Sequence, residues 1–568
     1  MRLLAPVVCS AILLSVSGPI DAQGDAQVST SPAKAATDTG DADTGQERSA
    51  PRDEPGRDDR TETLPSGTAR AEKARLAKLG DQDIATAPIR EARSTTRHAT
   101  TINGRGIDYL ATAGTLTVRD DDGKPVASMF YVAYTADGKT RDGDRPVTFI
   151  YNGGPGSSSM WLHMGSIAPL RVRTDSPQST TGAPFQMVAN DDSLLDKSDL
   201  VFIDAMGAGF SRPLGDTSLQ KFWGTDPDID VFARAIERYL TVNDRWNSPK
   251  FLLGESYGTT RSAGLSYRLA QDGAQLNGVI LLSSILNYGR RAPGLDQDLI
   301  NYLPTYAAIA AYHHRLPTQP ADLPAFLAQV RDWTRGPFAQ ALARGQDLPD
   351  DQRQAIAAQM SAYTGLSTRY ILDHDLRVPA SGFRKELLRD QRRTLGRYDA
   401  RFEGIDVDAS GDAPEYDASD TGITGAFVSS FHHYLSHDLK YQTDLVYRPT
   451  YYSSKLKWSF DHRPPGARGA EQTNEADVAL DLSAAMRQNP HLQLLSLNGL
   501  YDMATPFFGT EYDLGHMQID RSLRSNLHFA YYPSGHMVYL NTEALHTMKQ
   551  DLARFYDTAT ARTTAGQP

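Results

Sequence analysis

The chain has 568 residues, 40% of them hydrophobic, enough for one large domain carrying an insertion or for two domains. Lys+Arg 58 against Asp+Glu 69 leaves a net charge of -11, which argues against a nucleic-acid or anionic-membrane partner.

The N-terminus, "MRLLAPVVCSAILLSVSGPIDAQG", sets one arginine before an apolar stretch, then Ser, Gly and Pro, with a cut after Ala22. That is the layout of a signal peptide over residues 1–22, too short for a membrane span. The single cysteine, Cys9, lies inside it, so the mature protein has no disulfide. We therefore expect an exported protein, periplasmic or secreted, with no stable membrane insertion; a bacterial periplasm suits a disulfide-free exported chain best. Residues 23–97 are rich in Ala, Asp, Thr, Arg and Gly, and no aromatic residue precedes Tyr109. Such a segment buries too little apolar surface to offset the entropy of ordering, and reads as a disordered spacer. A short helix is possible around "ARAEKARLAKL".

Residues 98–288 read as the first part of a core. "GIDYLATAGTLTVRD" and "ASMFYVAYTA" are hairpin strands; "PVTFIYNGG", "SDLVFIDAMG", "KFLLGES" and "GVILLSSIL" are continuous apolar runs. Runs of this kind separated by helical stretches predict parallel strands buried on both faces. Residues 289–476 are helical, polar and Tyr-rich, and read as a cap inserted before the second part of the core, 477–560. The core resumes at "LQLLSLNGLYD", and 561–568 form a disordered end. The expected class is α/β: a mixed, mostly parallel central sheet flanked by helices, with a largely helical cap insertion.

Gly254-Glu255-Ser256-Tyr257-Gly258 is a G-x-S-x-G match between a strand pattern and a helix pattern, which makes Ser256 the candidate nucleophile rather than a helix cap. A hydroxyl needs a base and a carboxylate to orient that base. In the chain order Ser, Asp, His these are Asp502, in the loop of "NGLYDMATP", and His536, in the Gly-flanked loop of "YYPSGHMV". His516, His528 and His546 are competitors, the last two within strand-like and helix-like stretches. The Gly-Gly pair of "YNGGPGSSSMW" sits where an oxyanion amide is recruited, and the second amide is that of Tyr257. A phosphate loop is the rival, but its lysine-bearing pattern is missing. "DAMGAGFS" reads as a tight turn near the site. The adjacent pairs His313-His314 and His432-His433 would point different ways on a helix, so no metal is expected.

Taken together, "NGGPGSSS", "DAMGAGFS", "GESYGT", "NGLYDMATP" and "GHMV" resemble the serine carboxypeptidase family, in its order, from about Thr100 to Tyr556. The resemblance implies an α/β-hydrolase fold, no cofactor, peptide substrates, a triad of Ser256, Asp502 and His536, and an oxyanion hole at Gly154 and Tyr257. It also implies that Asn152 and Glu255 hold the substrate's C-terminal carboxylate, and that Met537 contacts the departing residue, where a packing methionine is an equal reading. A carboxyl binds a carboxylate only while it keeps its proton. Burial must then raise the Glu255 pKa, and peptidase activity is expected to favour acidic pH; a solvated or salt-bridged structural acid is the alternative for Glu255. There are three departures, of which the first and third bear on this. Ile150 stands where members carry a carboxylate-binding Trp, and Ser157 where a cysteine is usual. A second acid that partners the glutamate in many members has no counterpart in "WLHMGSIAPL". The competing functions are an esterase or acyltransferase using the same triad, and a hydrolase-fold binding protein without catalysis. The aromatic-rich run from Tyr434 to Phe460 could line the substrate pocket, although packing is the commoner role of such residues.

Overall fold

The structure is a computed structural model that describes residues 87–137, 145–453, 455–468 and 473–561. The expected signal peptide, the short helix near residue 75, most of the spacer and residues 562–568 lie outside the described residues.

Ten strands form the main sheet: β1 (Arg93–Ile102), β2 (Arg105–Arg119), β3 (Pro125–Ala136), β4 (Val147–Tyr151), β5 (Asp199–Ile203), β6 (Arg212–Pro213), β7 (Lys250–Glu255), β8 (Gly278–Leu282), β9 (Gln493–Gly499) and β10 (Leu527–Tyr532). The order is β1-β2-β3-β5-β4-β7-β8-β9-β10, with β6 beside β3. The β1–β2, β2–β3 and β3–β5 pairs are antiparallel. Every pairing from β5 through β4, β7, β8 and β9 to β10 is parallel. Each residue of β4, β5, β7 and β8 is buried, which is why these strands read as unbroken apolar runs. The sheet begins at Arg93, inside the stretch expected to be spacer. The run "RSTTRHATTI" makes an edge strand whose residues alternate between exposed and half-buried, so no apolar run announces it.

One face of the sheet packs against helices Thr225–Val242, Tyr257–Gln271 and Ala479–Gln488. The other packs against Met160–Gly165, Ala418–His437 and Thr542–Thr560. Between β8 and β9 a run of helices from Gln297–Tyr312 to Ala380–Glu386 builds a third apolar cluster, which also takes in Tyr501 and Met503 on either side of Asp502. After His437 the cap is not helical until Ala479. Its chain runs back along the core, bridging Gly209 with Arg448, Ser157 with Thr450 and Gly224 with Ser459.

The end of that strap is fixed by His462, which is 2% exposed. Its Nδ1 lies 2.6 Å from Asp226 Oδ1 and its Nε2 2.8 Å from Asp481 Oδ2. Burial works against the imidazolium, but the hydrogen bonds and charges of the two aspartates override it and hold His462 up at about 10. The folded value exceeds the ordinary one, so this stabilisation is complete below about pH 6.5 and lost as pH rises through about 10. His462→Ala should cost roughly 2–4 kcal/mol by stranding the buried Asp481 carboxylate and the half-buried Asp226 carboxylate. Urea unfolding at pH 6 and pH 9.5 checks it: the gap between wild type and variant should narrow at the higher pH, and a pH-independent gap contradicts the ion-pair account.

Candidate active site

The expected site residues emerge from the carboxyl ends of neighbouring parallel strands, where open α/β sheets place ligands. Asn152 follows β4, Ser256 follows β7, and Asp502 and His536 follow β9 and β10. Ser256 sits between β7 and the helix Tyr257–Gln271 with φ 61 and ψ -130. A non-glycine residue pays about 1–3 kcal/mol for such a backbone, and holds it only when its surroundings enforce it. They do: a Cβ on Gly254 would fall 2.0 Å from the Gly258 carbonyl, and one on Gly153 would fall 2.4 Å from the Tyr257 nitrogen. The glycines let the elbow and the Gly-Gly loop close on each other. The Tyr257 N–H is the first of its helix and so has no intrahelical acceptor.

Asp502 and His536 are buried, at 0% and 2% exposure, with His536 Nδ1 2.7 Å from Asp502 Oδ2. The other Asp502 oxygen accepts from the amides of Ala504 at 2.8 Å and Thr505 at 3.0 Å. The Thr505 hydroxyl adds a contact at 2.8 Å to Oδ2 and 3.1 Å to His536 Nδ1. The His536 loop is pinned twice more: its amide donates to the Tyr398 carbonyl at 2.6 Å, and its carbonyl accepts from Ser283 Oγ at 2.6 Å. Tyr398 also stacks on the imidazole, centroids 5.1 Å apart. Burial disfavours the imidazolium, yet the charge and hydrogen bond of Asp502, with the charge of Glu255, leave His536 above its ordinary value. Asp502 thus favours the imidazolium that proton abstraction would create.

One pocket is lined by Asn152, Gly153, Gly154, Ser157, Glu255, Ser256, His536 and Met537, and its wall is completed by Trp161, Tyr398, Asp420, Thr450 and Tyr452. The sequence candidates therefore converge, apart from Asp502, which stands behind His536, and Tyr257, whose amide opens the helix. Among the described residues Ser256 Oγ has no hydrogen-bond partner; it and His536 share the pocket wall. The competing histidines point elsewhere: His516 contacts Tyr512 O at 2.7 Å, His528 contacts Gln493 at 3.2 Å, and His546 contacts Asp192 at 2.8 Å.

Glu255 is 3% exposed, and its Oε1 accepts from Asn152 Nδ2 at 3.0 Å. Among the described residues no cation pairs with it. Its Oε2 is buried and meets no donor at good hydrogen-bond geometry, but the Tyr539 hydroxyl lies beside the carboxyl, close enough to favour its charged form. Burial pushes Glu255 up to about 7 against the opposing influence of the His536 imidazole and the Tyr539 hydroxyl. Asn152 is held from two sides: its Oδ1 accepts from Leu162 N at 2.9 Å, and its carbonyl accepts from Arg261 at 2.8 Å. Arg261, fully buried on the helix that follows Ser256, is neutralised by Asp228 at 2.8 and 3.1 Å. "DAMGAGFS" is a turn with positive φ at Gly207 and Gly209, and its Asp204 fixes the Gly-Gly loop by accepting from Ser159 N at 2.8 Å.

Residues 107–288 match the family model described as serine carboxypeptidase. Over that stretch, about a third of its length, the chain is similar to the serine carboxypeptidase family. A curated relative is the pheromone-processing carboxypeptidase KEX1 of Saccharomyces cerevisiae, 31% identical over 159 residues, which are 26% of this chain and 20% of KEX1. The match thus spans about a fifth of the length of the curated relatives. Among solved structures, the KEX1(delta)p prohormone-processing carboxypeptidase of the same yeast aligns with a TM-score of 0.49 at 15% identity, covering 79% of this chain and 91% of that one. A soluble monoglyceride lipase variant from Saccharomyces cerevisiae aligns with a TM-score of 0.31 at 12% identity, over 79% and 95%. The sheet order and the elbow after β7 are those of an α/β-hydrolase fold.

Several pocket residues were not among the sequence candidates. Thr505 had a signal, an Asp-x-x-Thr turn in which the aspartate caps the following amides. Tyr398 and Asp420 come from the cap, far in sequence from the motifs, and carried none. Of the aromatic run, Tyr452 does line the pocket, while Tyr434 and Tyr447 pack in the core.

Proposed function

We propose that the chain is a serine-type carboxypeptidase that releases C-terminal residues from peptides. Ser256 Oγ attacks the scissile carbonyl as His536 takes its proton, with Asp502 orienting the imidazole. The tetrahedral oxygen is held by the amides of Gly154 and Tyr257. His536 then protonates the leaving amine, and water, deprotonated by the same histidine, hydrolyses the acyl-enzyme. Asn152 and Glu255 bind the substrate's terminal carboxylate, and Met537, 6% exposed on the pocket wall, faces the departing residue while also packing in the core.

The observation that carries this reading is the Glu255 carboxyl, buried in the pocket of Ser256 and His536, with one oxygen on Asn152 and the other unpartnered. A buried acid with a free oxygen and no cation is suited to donate its proton to an anionic ligand. An esterase or acyltransferase is the second reading, because Ile150 is fully buried and gives the pocket no donor where the family carries Trp. The test is hydrolysis of a blocked dipeptide, its C-terminal amide and its ester, with mass detection of the product and labelling of Ser256 by a serine-reactive phosphonate. A carboxypeptidase should cleave the free acid at least tenfold better than the amide below pH 7. Cleavage of the ester alone overturns the proposal in favour of the esterase, and absence of labelling in favour of a binding protein. The export reading is part of the proposal and rests on residues 1–22 alone.

A further inference from the structure

We propose that Ser157 is a third hydrogen-bond donor to the substrate's terminal carboxylate, held in position by the indole N–H of Trp161. This rests on the carboxylate reading above and answers what replaces the missing tryptophan at position 150.

The donors so far assigned are too few. Asn152 spends its Oδ1 on Leu162 N and one Nδ2 hydrogen on Glu255, leaving one hydrogen to give. Protonated Glu255 gives one more, from the oxygen that has no partner. A carboxylate offers about four lone-pair sites, so two donors leave a buried anion poorly satisfied. Ile150 cannot help.

Ser157 shares the pocket wall with Asn152 and Glu255. Its hydroxyl oxygen accepts from Trp161 Nε1 at 3.1 Å, which occupies a lone pair and leaves the O–H free to donate. The acceptor now available to that hydrogen is the neighbouring Ser158 carbonyl at 3.3 Å, beyond the usual hydroxyl range. An incoming carboxylate would exchange this long contact for a charge-assisted bond of roughly twice the strength of a neutral one. The serine is fixed by its backbone as well, through Ser157 N to Gly153 O at 3.1 Å and the bridge to Thr450. Trp161 is 8% exposed and tilted against Phe427 at 5.4 Å, and it belongs to the same apolar cluster as Ile150. The indole thus enters from a helix on that face of the sheet and acts through the hydroxyl. A thiol at position 157 would donate only weakly.

The test is steady-state kinetics at pH 5.5 on a blocked dipeptide and its C-terminal amide, for wild type, Ser157→Ala, Ser157→Cys, Trp161→Phe and Asn152→Ala. Ser157→Ala should raise KM for the free acid about tenfold, with kcat within about twofold and the amide unchanged. Ser157→Cys should fall between wild type and alanine. Trp161→Phe keeps an aromatic ring but loses the indole N–H together with the five-membered ring that carries it, and should raise the same KM about threefold. If Asn152→Ala shifts the acid-to-amide ratio and Ser157→Ala does not, the role of Ser157 is overturned alone. If neither shifts it, the carboxylate reading falls and this inference with it. Equal losses on both substrates would mark Ser157 as structural and overturn the proposal.

Discussion

Ser256→Ala should lower kcat on any cleaved peptide by about a millionfold, and His536→Ala should cost about as much. The two effects should not add, because neither the attacking oxygen nor the base has a role once its partner is gone. Asp502→Asn should cost about 10⁴-fold. Asp502 receives the Ala504 and Thr505 amides on one oxygen and the imidazole on the other, and an amide nitrogen in either place breaks one set. Alanine at 256 meets the same positive φ as serine, so the denaturation midpoint should move little. A variant that keeps more than about a hundredth of wild-type kcat, while folded by circular dichroism, would remove Ser256 from the chemistry.

These residues were legible because each sits in a motif whose backbone demands are local. Gly254 and Gly153 announce an elbow against a loop, since no side chain fits between them. The buried parallel strands announced themselves through apolar runs, since both of their faces are covered. Strand β1 did not, since an edge strand of threonines and arginines has a composition close to that of a spacer. Arg261 was hidden for a different reason. An arginine in sequence reads as surface, and only the fold shows it buried beside Asp228 with its guanidinium on the Asn152 carbonyl. Tyr398, Asp420 and Tyr452 reach the pocket from a cap whose path depends on tertiary packing. The site was thus readable on the side built by consecutive strand ends and unreadable on the side built by the cap.

Glu255→Gln should abolish the alkaline fall of peptidase activity. With wild type, burial places the Glu255 transition at about 7; below it the carboxyl donates a proton to the substrate's anion, and above it two anions face each other. If only the protonated form accepts the substrate, KM for a free-acid peptide should rise about tenfold per pH unit above 7, while the amide shows no such rise. A glutamine is a neutral donor at every pH, so the variant should hold its KM through pH 8.5. The acid limb should stay where it is. His536 must be neutral to act as a base, and an ionised Glu255 is one of the charges that raise it. On the acid side of about 7 Glu255 already carries its proton, so glutamine leaves His536 facing an equally neutral neighbour. The wild-type pair is coupled: one proton on Glu255 with a neutral His536 is the productive arrangement, and the same proton on His536 facing an ionised Glu255 is the idle one. A substrate carboxylate binds only the first, so substrate itself draws the proton to Glu255 and frees the base. This account requires the profile of Glu255→Gln to broaden on the alkaline side alone. A variant that kept the wild-type alkaline limb on free-acid peptides would show that the limb belongs to another group and that Glu255 does not hold the substrate's carboxylate.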